Sequence, residues 1–155
     1  MVPAAPARSL LPVFLAGLYG LAIFYASLQP FEPWLARASG SAFFLSAPWP
    51  PRWVRYDIVS NLVAYLPFGF FVASAQHRRS RAGTLSVAIL AGTLLSLAME
   101  ALQMYLPTRD ASVADLLSNA TGTALGGTLA LALLRSPRAK AKIASVRDRW
   151  FLPGT

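Results

Sequence analysis

Carboxylates and amides recur at helical spacing inside runs that are otherwise apolar. Glu100 and Gln103 stand three residues apart; Asp115 and Asn119, like Asp57 and Asn61, stand four apart. Spacings of three and four put each pair on a single helix face. Arg109 and Asp110 lie in the segment 107–112 that separates the first two pairs. An acid in a low-dielectric layer can serve as a general acid or base, with amides orienting what it acts on. The same groups, joined by a guanidinium, can instead hold the polar part of a ligand. Glu100, Asp115 and Asp57 are therefore the candidates for any catalytic role. Asp57, Asn61, Glu100, Gln103, Arg109, Asp115 and Asn119 are the candidates for ligand binding.

Other chemistries have less to stand on. Carboxylate and amide oxygens suit Mg²⁺ or Ca²⁺, but no spacing here is that of a metal-binding loop, so neither metal nor cofactor is assigned. The chain has no cysteine, which removes disulfides, thiolate metal sites and a Cys nucleophile, and leaves the compartment open. Its one histidine, His77, falls in a basic turn and reads as a solvated residue.

The elements that position these groups read as membrane helices. Charged residues make up only 13% of the 155, about half the share usual in a soluble domain, and mean hydropathy is +0.50. Four apolar runs, about 10–28, 57–75, 82–106 and 113–134, are each near the ~20 residues that cross a bilayer core. The expected fold is all-α: an antiparallel bundle of four transmembrane helices over 10–134. A short arm (1–9) precedes it and a basic tail (135–155) follows. The first run is long for the apolar region of a signal peptide, and Phe24 and Tyr25 spoil a small-residue cleavage pattern around Ala26; it reads as an uncleaved first span. The segment 29–56 is rich in Pro and Trp, which places it against the membrane surface. Pro67 removes the hydrogen bond to the Val63 carbonyl and predicts a kink in span two.

The net charge of +8 does not point to nucleic acid, because the basic residues cluster at the ends of apolar runs. With four spans, the two ends of the chain and the turn near His77 share one side. That side carries Arg8, Arg78, Arg79, Arg81 and the six basic residues of the tail, against Arg37, Arg52, Arg55 and Arg109 on the other. The asymmetry makes both termini cytoplasmic, and 29–56 and 107–112 outward-facing.

Under that orientation the three acid–amide pairs share one shallow outer layer. Interhelical hydrogen bonding alone would account for Asn61, Gln103 and Asn119. Three acids at one level repel one another unless protonated, paired or metal-bound; for pairing, Arg109 is the expected partner, with Arg55 or Arg52 as a second. Gly92, Ser96, Glu100 and Gln103 make a small and polar stripe on span three. Asp115, Asn119, Gly122 and Gly126 make another on span four, and the two stripes are expected to pack on each other.

These residues resemble a known family. Ser27-Leu-Gln-Pro30, Asp57 with Asn61, Pro67-Phe-Gly69, Glu100 with Gln103, Arg109, and Asp115 with Asn119 and Gly122 are similar to the VanZ-like membrane proteins. The resemblance implies a small polytopic protein of the bacterial cytoplasmic membrane. The family's founding member is associated with resistance to the glycopeptide teicoplanin. The resemblance supplies no catalytic assignment.

Two functions compete. In one, a non-enzymatic envelope protein binds an amphiphile in its outward pocket, such as a lipid-linked precursor or a lipoglycopeptide, alongside membrane lipids. In the other, an intramembrane enzyme uses Glu100 or Asp115 as acid/base on a lipid-linked or envelope substrate. A transporter is disfavoured, since polar groups at one end of four spans offer no path across. Cysteines introduced at Ser41 and Ser112 should label from outside the cell, and one at Ser80 should not. The reverse pattern would invert the topology.

Overall fold

The computed structural model describes residues 10–36, 43–46, 55–76 and 79–137, together with 141, 142 and 145. Its elements, in chain order, are α1 (Leu11–Leu28), a single 3-10 turn (Phe44–Ser46), α2 (Arg55–Ser74), α3 (Arg81–Gln103) and α4 (Val113–Arg135). All four α-helices are long and apolar enough to cross a membrane, and no strand occurs among the described residues. The chain is an all-α, multi-pass membrane protein.

Helix boundaries follow local chemistry. Ser80 opens α3 and Ser112 opens α4, each accepting a backbone N–H at 3.1 Å, from Gly83 and Ala114 respectively. These side-chain oxygens satisfy donors that the first turn leaves unpaired. Pro12 stands in the first turn of α1, where the missing N–H costs nothing. The third helix stops at Gln103, three residues short of the expected Leu106. Pro107 disfavours helical backbone at Leu106, and the chain leaves the helix through tight turns closed by Tyr105 N–H to Leu102 O and Leu106 N–H to Gln103 O.

The bundle is sided for lipid. Phe14, Leu18 and Leu21 of α1, Leu90 and Leu94 of α3, and Leu117, Leu125 and Leu129 of α4 are exposed. Thr84, Ala88, Ser96, Asn119 and Thr123 are buried. Large apolar residues facing out and small or polar ones facing in are what membrane helices need. Lipid rewards the former, and close backbone approach needs the latter.

The tightest contact is between α2 and α4. A side-chain carbon at Gly122 would run into the Leu62 carbonyl group, and one at Gly126 into Leu66 and the Phe70 nitrogen. From the other helix, a carbon at Gly69 would strike the Thr123 backbone. The glycine hydrogens pointing along those directions aim at carbonyl oxygens, the arrangement of Cα–H···O contacts between helices. Residues 62 and 66 advance alongside 122 and 126, so α2 and α4 run parallel. The expected pairing of the two stripes therefore needs correcting. Gly122 and Gly126 face α2, while Gly92 and Ser96 of α3 meet Thr123 and Asn119. These four residues of α4 are divided between two partners because Asn119 and Thr123 lie one helical position away from the glycines.

The remaining contacts set the shape around the site. Ala73, Ala88 and Ala130 bring α2, α3 and α4 together at the end remote from the acids. Ile23, Leu28, Tyr65, Phe68, Met99 and Leu106 join α1, α2 and α3 nearer to them. Tyr19 packs edge-on to Phe71 at 6.2 Å between ring centres. Leu35 N–H bonds Tyr105 O at 3.0 Å, tying the segment after α1 to the α3–α4 turn. Arg37, Arg52, Trp49, Trp53, His77, the whole of the arm and most of the tail lie outside the described residues.

Replacing Gly126 by Ala should lower thermal stability in detergent by about 1–3 kcal/mol, the usual cost of overpacking. Gly17→Ala, where an added carbon meets nothing within 4 Å, should change it by less than about 0.5 kcal/mol. Equal melting of the two variants would show that the α2–α4 contact is not a tight one.

Candidate functional site

All seven candidate ligand-binding residues line one cavity of about 620 Å³. Its wall is built from the second half of α1, the first half of α2, the end of α3, the α3–α4 turn and the start of α4. Burial grades it. Tyr56, Asp57, Thr108, Arg109 and Asp110 are exposed and form a rim, while Tyr65, Met99, Glu100 and Asn119 are buried and form a floor.

Most of the polar groups hold helices together as well as lining the space. Asn61 Nδ2 of α2 donates to Asp115 Oδ1 of α4 at 2.7 Å. Asn119 Nδ2 of α4 donates to Ser96 Oγ of α3 at 2.9 Å. Glu100, only 3% exposed, accepts the Ser112 backbone N–H on Oε2 at 2.8 Å. Ser112 is the N-cap of α4, so the buried carboxylate sits where the partial positive charge of a helix N-terminus stabilises it.

Arg109 was expected to pair with the carboxylates, and the structure corrects this. Its Nε and Nη2 donate to Gln29 O at 3.0 and 2.7 Å, and Nη2 also donates to Ala26 O at 3.2 Å. These are carbonyls at the C-terminal end of α1, which have no partner within the helix. Gln103 Nε2 takes the Ser27 carbonyl at 2.9 Å, and Phe31 N–H takes that of Leu28 at 2.8 Å. Every carbonyl from Ala26 to Gln29 is thereby satisfied, two of them by one guanidinium, whose positive charge also suits a helix C-terminus. Glu100 and Asp115 have already taken neutral donors. The acids do not converge on one point either: among the described residues, no three of His, Cys, Asp or Glu are grouped to hold a metal ion.

Two buried atoms on the floor lack a hydrogen-bond partner, Asn119 Oδ1 and the Tyr65 hydroxyl. Tyr65 lies beside Ser96 without reaching hydrogen-bond geometry to it. Tyr65 was not among the sequence candidates, nor were Tyr19, Ser27, Ser60 and Thr108. The signal for Tyr65 was present, since it stands four residues after Asn61 and eight after Asp57, on their helix face. Tyr19 carried none, because its place depends on how α1 leans on α2.

Removing the guanidinium with Arg109→Ala should raise amide hydrogen exchange in the last turn of α1 and leave α2–α4 unchanged. Arg109→Lys should restore it only in part, since an ammonium cannot match the planar fork. Unchanged exchange in the Ala variant would show that the clamp contributes nothing.

Neither a curated protein nor a solved structure matches the chain. Residues 12–135, which run from α1 to the end of α4 and include every wall of the cavity, match the VanZ/LLP1 family. The chain belongs to that family.

Proposed function

We propose that this protein binds an amphiphile of the cell envelope in the cavity between its helices, as a binding protein rather than an enzyme. The candidate ligands are a lipid-linked precursor and a lipoglycopeptide such as teicoplanin. The observation that carries the reading is the cavity itself, which sets a polar floor and a mixed rim among helices whose outer faces are apolar. Convergent polar groups in a concave, partly apolar site are the usual mark of a ligand pocket. Basic-residue asymmetry turns its rim outward from a bacterial cytoplasmic membrane, with both chain ends in the cytoplasm. A resistance role would work through the same cavity, by holding the lipid part of the glycopeptide.

The enzyme alternative weakens on the acids' own contacts. Glu100 is committed to the N-cap of α4 and Asp115 to Asn61. Both bonds tie helices together, a sufficient reason for each acid to be where it is. Glu100→Gln keeps the oxygen that accepts from Ser112 and removes the charge, so a binding role should survive it.

The test is mass spectrometry of lipids retained by the purified full chain. The wild type should carry one amphiphile well above its share in the surrounding membrane. Ala64→Trp, at an exposed position of the cavity wall, should carry it no longer. A wild-type protein whose lipids simply mirror the membrane would reject the reading.

A further inference from the structure

The cavity does not end at its polar walls. Tyr19 and Ala22 of α1 line it, and the same two residues line a second, apolar groove of about 600 Å³ between α1 and α2. Leu15, Leu18, Leu21, Pro67 and Phe71 complete that groove. It lies along helices that cross the membrane, and its apolar lining suits an alkyl chain. A polar chamber and an apolar groove that share two wall residues fit one molecule that has both a head and a chain.

Two independent features define the head. The first is charge. Asp57, Glu100, Asp110 and Asp115 line the chamber, and Arg109 is its one basic residue among those described. The guanidinium is already engaged by the α1 carbonyls. A phosphate or carboxylate head would enter past the exposed rim carboxylates of Asp57 and Asp110. The second is the floor. Asn119 is 4% exposed and Tyr65 3% exposed, and Asn119 Oδ1, which can only accept, has no donor. A buried acceptor left unpaired is costly, and a donor that reaches it removes the cost. An ammonium group supplies three N–H donors, no acceptor and the complementary charge.

We propose that the chamber takes the amine-bearing head of a membrane amphiphile, held by Asp57 and Asp115 and by Asn119, with its alkyl chain passing beside Tyr19 and Ala22 into the α1–α2 groove. This rests on the amphiphile-binding reading above, and adds the charge of the head and the path of the chain. The ligand enters sideways from the bilayer, between α1 and α2. There α1 meets α2 through side-chain packing, Tyr19 on Phe71 and Gly20 on Phe68, while Gln103 and Arg109 bond its outer end.

The experiment uses the full chain in phosphatidylcholine nanodiscs doped equally with hexadecylamine, hexadecyl glucoside and hexadecyl phosphate. Mg²⁺ is present throughout, so that a phosphate head has a bridging cation available. Native mass spectrometry reads which additive stays bound after release. Hexadecylamine should be retained over hexadecyl phosphate by at least roughly tenfold, well within what opposite charges a few ångström apart gain near a protein surface. Asp57→Asn should narrow that preference, and Ala22→Trp should abolish retention. Both positions are exposed, so neither variant disturbs the core. Preferential retention of the phosphate or the glucoside would overturn the amine head and leave amphiphile binding standing. Undiminished retention in Ala22→Trp would overturn the groove. Retention of none of the three by the wild type would overturn both this proposal and the reading beneath it.

Discussion

The approach of α2 to α4 is the constraint on which the rest of this structure depends. Three glycines, one on α2 and two on α4, let the two backbones touch where any side chain would collide. That contact fixes the axial register of the pair, and the register brings Asn61 level with Asp115, close enough for a 2.7 Å hydrogen bond. Helices in lipid gain little from burying apolar surface against one another, because the lipid tails are as apolar as leucine. Shape complementarity at glycine and hydrogen bonds between polar side chains must therefore supply the specificity. Here both come from adjacent faces of α4: Gly122 and Gly126 for α2, Asn119 and Thr123 for α3.

The polar layer then has a double role. Asn61–Asp115 links α2 to α4, Asn119–Ser96 and Glu100–Ser112 link α4 to α3, and Gln103–Ser27 links α3 to α1. Each bond satisfies groups that would be costly to bury alone. Together they string α2, α4, α3 and α1 around one end, and the space between them is the chamber. Lining and architecture are the same residues. A substitution in this layer must therefore be read against stability before it is read as loss of binding.

The sequence disclosed the layer but not its wiring. Four spans were legible because apolar runs near bilayer length have few soluble counterparts, and the acid–amide pairs were legible because intramembrane polar residues are rare and helical spacing assigns them to a face. The partners were not. Arg109 looked like the natural counterion for three acids, yet the open carbonyls at the end of α1 lie within its reach and need donors, whereas a helix N-terminus and an asparagine serve Glu100 and Asp115. Terminal carbonyls leave no mark in a sequence, so their competition for a guanidinium was invisible. The glycine stripe of α4 marks a contact face, but its spacing does not say that the neighbour is α2 rather than α3. The short connection between α3 and α4 makes them adjacent, but adjacency does not decide which pair packs backbone to backbone. Gly69, placed after Pro67 on α2, held the missing half of that contact.

The disposition of the acids orders them by availability. Glu100 is buried and accepts a backbone N–H at the first turn of α4, so that bond already occupies it. Asp115 is half-buried and accepts from Asn61, yet one bond leaves a carboxylate with spare lone pairs. Asp57 is exposed at the rim, at the start of α2, with its carboxylate uncommitted among the described residues. Charge that is free to meet a ligand thus increases from floor to rim, while unpaired hydrogen-bonding capacity concentrates on the floor at Asn119 and Tyr65. A ligand group that carries charge and donors satisfies both ends of this gradient at once. One that carries only negative charge satisfies neither.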